Sequence, residues 1–214
     1  MWHLLPPLLD GMKTTLLVTL YSIAVALVLA FAAGFGRLSK SRTVRGVTLV
    51  YVEVFRGTSL LVQLFWMYFA LPLLLDVRIP AMSAAVLALG LNYGAYGSEV
   101  VRSCVLAVPK GQTEAAIALN LTPRQRMRRI ILPQAWRMML PAFGNLQIEL
   151  LKGTSLVYLI TLSDVTFRGM VLRSSNMTET PAIFGWILIL FFIVAFALTR
   201  LIRFFERRAA VGRG

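Results

Sequence analysis

The chain has 214 residues, of which 58% are hydrophobic and 14% charged, against about a quarter charged in a soluble domain. A water-soluble fold of this composition would expose large apolar patches, which monomers rarely carry, so the composition indicates an integral membrane protein. The formal charge of +13 does not indicate nucleic-acid binding, because the Lys and Arg residues cluster between apolar runs, at 37–45, 102–137 and 200–213, as they do in cytoplasmic loops.

The first apolar run, 14–35, is long enough to cross a hydrocarbon core of roughly 30 Å. Lys13 and the small residues Ala30, Ala32 and Ala33 would also suit a cleaved signal peptide. The run is long for that purpose, however, and the stronger basic cluster follows it. A retained span with its N-terminus outside is therefore expected. The second run, 59–75, is preceded by Tyr51–Thr58, with Glu53 and Arg56, which reads either as an interfacial helix or as a polar start to the span. Pro72, Asp76 and Pro80 predict an outer loop. A third run, 81–105, contains Gly90, Gly94 and Gly97, and the Gly90–Gly94 spacing allows close helix packing.

Residues 106–140 are polar and basic, a fourth span is expected over 141–162, and an outer loop runs to Pro181. The fifth span, 182–201, ends in a basic tail. The expectation is an all-α membrane protein: one domain, 1–214, of five transmembrane helices, with the C-terminus cytoplasmic. That is too few spans for the paired inverted halves of many secondary transporters, so a transporter of this size needs a partner chain. Cys104 and His3 are the only residues of their kinds, which leaves no disulfide framework and no Cys/His metal cluster.

Between Pro109 and Asn120 the sequence predicts a short helix. Pro109 opens it, Glu114 lies near its positive end, and Ala115 and Ala116 offer a face almost free of side chain. Asn120 can take the left-handed conformation that ends it. Thr122 as N-cap and Pro123 at the first position then start a second helix. That helix carries Arg124, Arg126, Arg128 and Arg129 and is expected to end before Pro133. Its arginines suit both an inside-positive topology and contact with anionic lipid.

Glu114-Ala115-Ala116, followed by Ile131-Leu132-Pro133-Gln134-Ala135, resembles the cytoplasmic EAA loop of ATP-binding-cassette importer permeases. Tyr51–Thr58, Leu91–Tyr96 and Leu150–Leu156 are similar to the polar-amino-acid branch of that family, so the resemblance runs along nearly the whole chain. It implies the importer-permease fold, with 106–140 as the loop that couples to an ATPase. Gly111, Glu114, Ala115, Ala116, Asn120 and Pro133 are its coupling positions: the Glu-Ala-Ala segment would form the contact and Pro133 would restart the chain towards the membrane. Asn120 stands where the family usually has glycine, and Ser59 where it usually has proline. The segments Val62–Trp66 and Gln125–Arg129 look closest to permeases for ectoine and hydroxyectoine, which are zwitterionic compatible solutes.

The implied partners are ATPase subunits carrying ATP and Mg, an extracytoplasmic solute-binding protein, and a second permease chain, identical or related. The setting is a bacterial inner membrane. This chain is expected to hold no cofactor and to hydrolyse no ATP, since it has no P-loop, zinc-protease motif or nucleophile elbow. A membrane scaffold or assembly subunit that moves nothing is the alternative.

Ionisable groups inside a bilayer are costly and usually face a bundle interior or a cavity. The candidates are Glu53, Arg56, Glu99, Glu149 and Lys152, with Gln63, Asn92, Tyr93, Gln147 and Thr154 as neutral company. A zwitterion needs one group for its carboxylate and one for its cation. Glu149 and Lys152 share a helix face, so they either bind solute or pair with each other. Glu53 and Arg56 have the same spacing and read as a structural pair. Asn92, Tyr93, Glu149, Lys152 and Thr154 form the candidate solute path.

Overall fold

A computed structural model describes residues 2–210, and its regular elements are all helical. In chain order they are α1 (Leu5–Arg37), α2 (Arg42–Gly57), α3 (Leu60–Phe65), α4 (Leu71–Leu75), α5 (Ala81–Ala107), α6 (Lys110–Ala118), α7 (Pro123–Arg126), α8 (Leu132–Gly153), α9 (Val165–Ser175) and α10 (Thr180–Ala210). π-helical turns, Trp66–Ala70 and Met127–Ile131, join α3 to α4 and α7 to α8, and a 3-10 segment, Thr154–Ile160, extends α8.

Two helical stretches, Leu5–Arg37 and Met177–Arg208, are long and apolar enough to cross a membrane unaided, with mean hydropathies of 2.5 and 2.7. Two bent pairs bring the number to four: Arg42–Gly57 with Leu60–Leu75, at 106°, and Pro123–Ile160 with Val165–Ser175, at 50°. By hydropathy the helices thus supply between two and four spans where five were expected, and α5 is the one left out. The reason is its composition. Asn92, Tyr93, Tyr96, Ser98, Glu99, Arg102 and three glycines lower its mean hydropathy. Its buried residues include many small ones, Ala84, Ala85, Ala88, Gly90, Gly94, Ala95 and Gly97, that pack closely against protein.

Those glycines set the centre of the fold. A Cβ added to Gly90 would lie 2.5 Å from Val25, on Gly94 2.8 Å from Leu29, and on Gly97 2.7 Å from Ala30. Numbers rise together along both helices, so α1 and α5 run parallel in close contact. Tyr93 on α5 bonds Glu149 O, and a Cβ on Gly97 would lie 3.1 Å from Phe143 of α8, so α8 runs the opposite way. Leu8 of α1 packs with Ile183 of α10, and His3 reaches Glu179 at 3.1 Å, which places the start of α1 beside the start of α10. Arg37, Arg102 and Arg200 accordingly lie towards one end of the bundle.

Three expected boundaries are corrected. The arginine-bearing helix does not end before Pro133 but continues through the Met127–Ile131 turn into α8, where Pro133 occupies one of the first positions. The wider π turn accommodates a residue that can neither donate its backbone hydrogen bond nor approach the preceding turn closely. Pro141 lies inside α8 and does not start the helix. Part of the expected outer loop is the helix α9, capped by Asp164, which accepts 2.8 Å from the Phe167 N–H. Of the two readings of Tyr51–Thr58, the separate helix holds: α2 meets the helix after it at 106° and exposes Val47, Val50 and Val54 while burying Val52.

Candidate coupling surface and solute path

The loop between α5 and α8 is a built corner. Asn120 has φ of 55°, the left-handed region, and follows α6. Around it the Leu121 N–H donates to Ala116 O at 3.0 Å and the Leu119 N–H to Ala115 O at 3.1 Å, which satisfies carbonyls left open at the helix end. Thr122 then caps α7 reciprocally: its N–H donates to Gln125 Oε1 at 2.9 Å, and its Oγ1 accepts from the Gln125 N–H at 3.4 Å. Gln134 ties the corner to α6, donating to Gln112 Oε1 at 3.4 Å and to Ile130 O at 2.9 Å.

This corner orients α6 unambiguously. Ala116 is 2% exposed and faces the permease, whereas Gly111, Glu114 and Ala115 are exposed. The two alanines therefore do not share an outward face, because adjacent helical residues point about 100° apart; only Ala115 is available to a partner. A Cβ on Gly111 would meet nothing within 4 Å, so nothing inside this chain requires glycine there. Pro133 is exposed but belongs to α8, away from the outer face of α6. Two further outward residues were missed: Ile117, 53% exposed, and Leu119, 73% exposed. The available signal was that Ile117 and Leu119 are the only large apolar residues between Lys110 and Asn120.

On α8, Glu149 and Lys152 are both exposed, with Asn145 on the same face. Among the described residues no ion pair joins Glu149 to Lys152. Tyr93 borders this face, its hydroxyl donating to Glu149 O at 2.9 Å. The narrow cleft beside Tyr93, lined also by Leu27, Phe143, Leu146 and Gln147, measures about 20 Å³, room for a single water. No amino-acid-sized solute fits there.

Asn92 and Thr154 do not line that face of α8. Asn92 is 4% exposed, and its amide donates to Phe55 O at 2.9 Å and to Gln63 Oε1 at 3.1 Å. Gln63 in turn donates to Thr58 Oγ1 at 2.7 Å, so the two amides fasten the α2–α3 corner to α5. Thr154 is buried and donates to Leu151 O at 2.6 Å. Nor does Arg56 pair with Glu53. Its guanidinium sits 5.2 Å from the centre of the Tyr96 ring, a cation–π contact, and Tyr96 lies beside Tyr93 with ring centres 6.5 Å apart. Glu99 is committed elsewhere: it pairs with Arg37 and accepts two bonds of 3.1 Å from Arg102, joining the ends of α1 and α5.

This architecture has known relatives. Residues 14–211 match the family described as binding-protein-dependent transport system inner membrane component. The probable amino-acid ABC transporter permease protein y4tF of Sinorhizobium fredii is 46% identical, over 100% of this chain and 92% of its own length. The glutamine transport system permease protein GlnP of Escherichia coli is 36% identical, over 98% and 96%. Among solved structures, an amino acid ABC transporter crystallised with histidines superposes with a TM-score of 0.88 at 32% identity, covering 95% of this chain and 94% of that one. The MetNI methionine ABC transporter shares the fold at a TM-score of 0.74 and 21% identity. This chain belongs to the family of binding-protein-dependent transport system inner membrane components, the membrane-integral permeases of ABC transporters.

Proposed function

We propose that this chain is the permease subunit of an ATP-driven importer for an amino acid or a similar small zwitterion. The observation that carries the reading is α6: a short, self-capped helix that holds Ala115, Ile117 and Leu119 outward on a corner braced by Thr122, Gln125 and Gln134. An apolar surface on an otherwise polar loop suits a protein partner, here an ATPase subunit, with ATP and Mg held there. Exposed Glu149 and Lys152, free of each other, would face a second permease chain, identical or related, across the solute path. An extracytoplasmic binding protein would deliver the solute. The amino-acid names of the relatives favour that substrate class, while ectoine enters on sequence resemblance alone.

The test is reconstitution with the cognate ATPase and binding protein, followed by ATP-dependent uptake of glutamine, arginine, cystine, octopine and ectoine. Uptake of at least one amino acid is expected, and it should vanish without ATP. Hydrolysis with no uptake of any solute would favour the scaffold reading.

The proposed topology has five spans in a bacterial inner membrane, with α5 as the fifth. At 1.5 Å per residue α5 is about 40 Å long, and two parallel helices, α1 and α5, need a return crossing between them, for which the α3–α4 stretch is available. The shared basic end supports a cytoplasmic α6 and C-terminus and an outside N-terminus. In a Cys104→Ala background, an impermeant thiol reagent applied to intact cells is expected to label Ser175→Cys and to spare Thr122→Cys. Labelling at position 122 from outside would invert this arrangement.

A further inference from the structure

We propose that a groove between α1 and α8, at the arginine-rich end of the bundle, binds an anionic phospholipid. Phe31 and Phe35 form one wall, with ring centres 6.2 Å apart, and Trp136 stacks on Phe31 at 5.9 Å. Leu132 and Pro133 complete the apolar lining, and Arg128 closes one end of a space of about 350 Å³.

The groove has a direction. Phe31 and Trp136 lie further into the bundle, and Phe35 and Leu132 lie a turn nearer the ends of α1 and α8. Arg128 stands one turn beyond Leu132, before α8 begins. Apolar surface therefore gives way to a cation along the helix axes, which is the polarity of a phospholipid with its chain inward and its phosphate at the rim. Arg128 is exposed, and among the described residues no carboxylate pairs with it. Trp136 is 45% exposed, and tryptophan favours the depth at which headgroup meets chain. Basic pockets between membrane helices recognise acidic headgroups by this combination. A free phosphate would use Arg128 alone and leave the aromatic wall wet. The inference rests on α1 and α8 lying in the membrane, and is independent of which solute is carried.

The experiment reads Trp136 fluorescence in the full-length protein reconstituted into phosphatidylcholine bilayers, as the difference from Trp136→Phe. Brominated phosphatidylglycerol or brominated phosphatidylcholine is titrated as quencher. Half-quenching by the anionic lipid is expected at about fivefold lower mole fraction, the preference that one basic residue gives at an anionic surface. Arg128→Gln should bring the two curves together, Arg128→Lys should restore most of the difference, and Arg124→Gln, outside the groove, should leave it intact. Equal curves in the unaltered protein would overturn the proposal, as would a preference surviving Arg128→Gln or one lost equally in Arg124→Gln. Absence of quenching by either lipid would mean that protein covers the groove, and would overturn it too. Uptake measured on the same vesicles keeps this outcome separate from the transport reading.

Discussion

Ala115→Arg is expected to separate the permease from its ATPase while leaving the permease itself intact. Ala115 is exposed on the outer face of α6, so a long cationic side chain meets only water when the helix is undocked, and such surface changes usually cost within about 0.5 kcal/mol. In the docked state the same side chain must occupy the interface. A loss of on the order of 2 kcal/mol or more, roughly 30-fold in affinity, is the scale of disrupting a central contact. Leu119→Asp should act similarly, by burying a carboxylate where an exposed leucine would otherwise be covered. Co-purification of the ATPase and solute-stimulated hydrolysis in proteoliposomes both report this. Wild-type values for both in Ala115→Arg would remove α6 as the coupling element.

Ala116→Arg is the informative contrast. At 2% exposure its methyl group packs inward, so arginine there overfills the α6 corner and brings an unpaired charge towards it. The expected defect is lower yield and stability of the permease itself, measured before any ATPase is added. Two adjacent alanines should thus fail at different steps.

Neutralising either charge on the open face of α8 is the second large effect. Glu149→Gln and Lys152→Met are each expected to reduce uptake by roughly 10- to 100-fold, corresponding to the loss of one charge-assisted contact. The amount of assembled complex should stay near the unaltered level, because the two side chains do not hold each other. Quantifying complex and uptake on the same preparations distinguishes the cases. Proportional loss of both would assign the residues to assembly, through contacts with a neighbouring chain.

The sequence made the helical membrane class legible because apolar runs and basic clusters are one-dimensional signals. The left-handed residue after α6 and the Thr122 cap were legible for the same reason, since local chemistry decides them, although the reciprocal role of Gln125 was not foreseen. Which alanine faces outward was not: that depends on how α6 leans on the Met127–Ile131 turn, a contact made only after folding. The fates of Asn92, Thr154 and Arg56 were hidden likewise. A polar residue in a span looks the same in sequence whether it faces solute or, like Asn92, satisfies Phe55 O across a 106° corner. Glu99 was recognisable as costly, but not as the acceptor between Arg37 and Arg102.

The uninterrupted backbone from Pro123 to Ile160 gives the molecule a mechanical character. Its near end is braced against α6 and its far end carries Glu149 and Lys152, so under the proposed function it would act as a lever with a fulcrum inside the helix. Pro141 is the natural fulcrum, because the missing N–H makes bending least costly there. From Pro141 to Lys152 the arm is about 16 Å long, so a flexure of about ten degrees displaces the ammonium group by roughly 3 Å. Motion on that scale is enough to break or make one hydrogen bond to a bound solute. Under the proposed function, the stroke of a nucleotide-driven partner and the grip on the cargo would be geared together through this one helix.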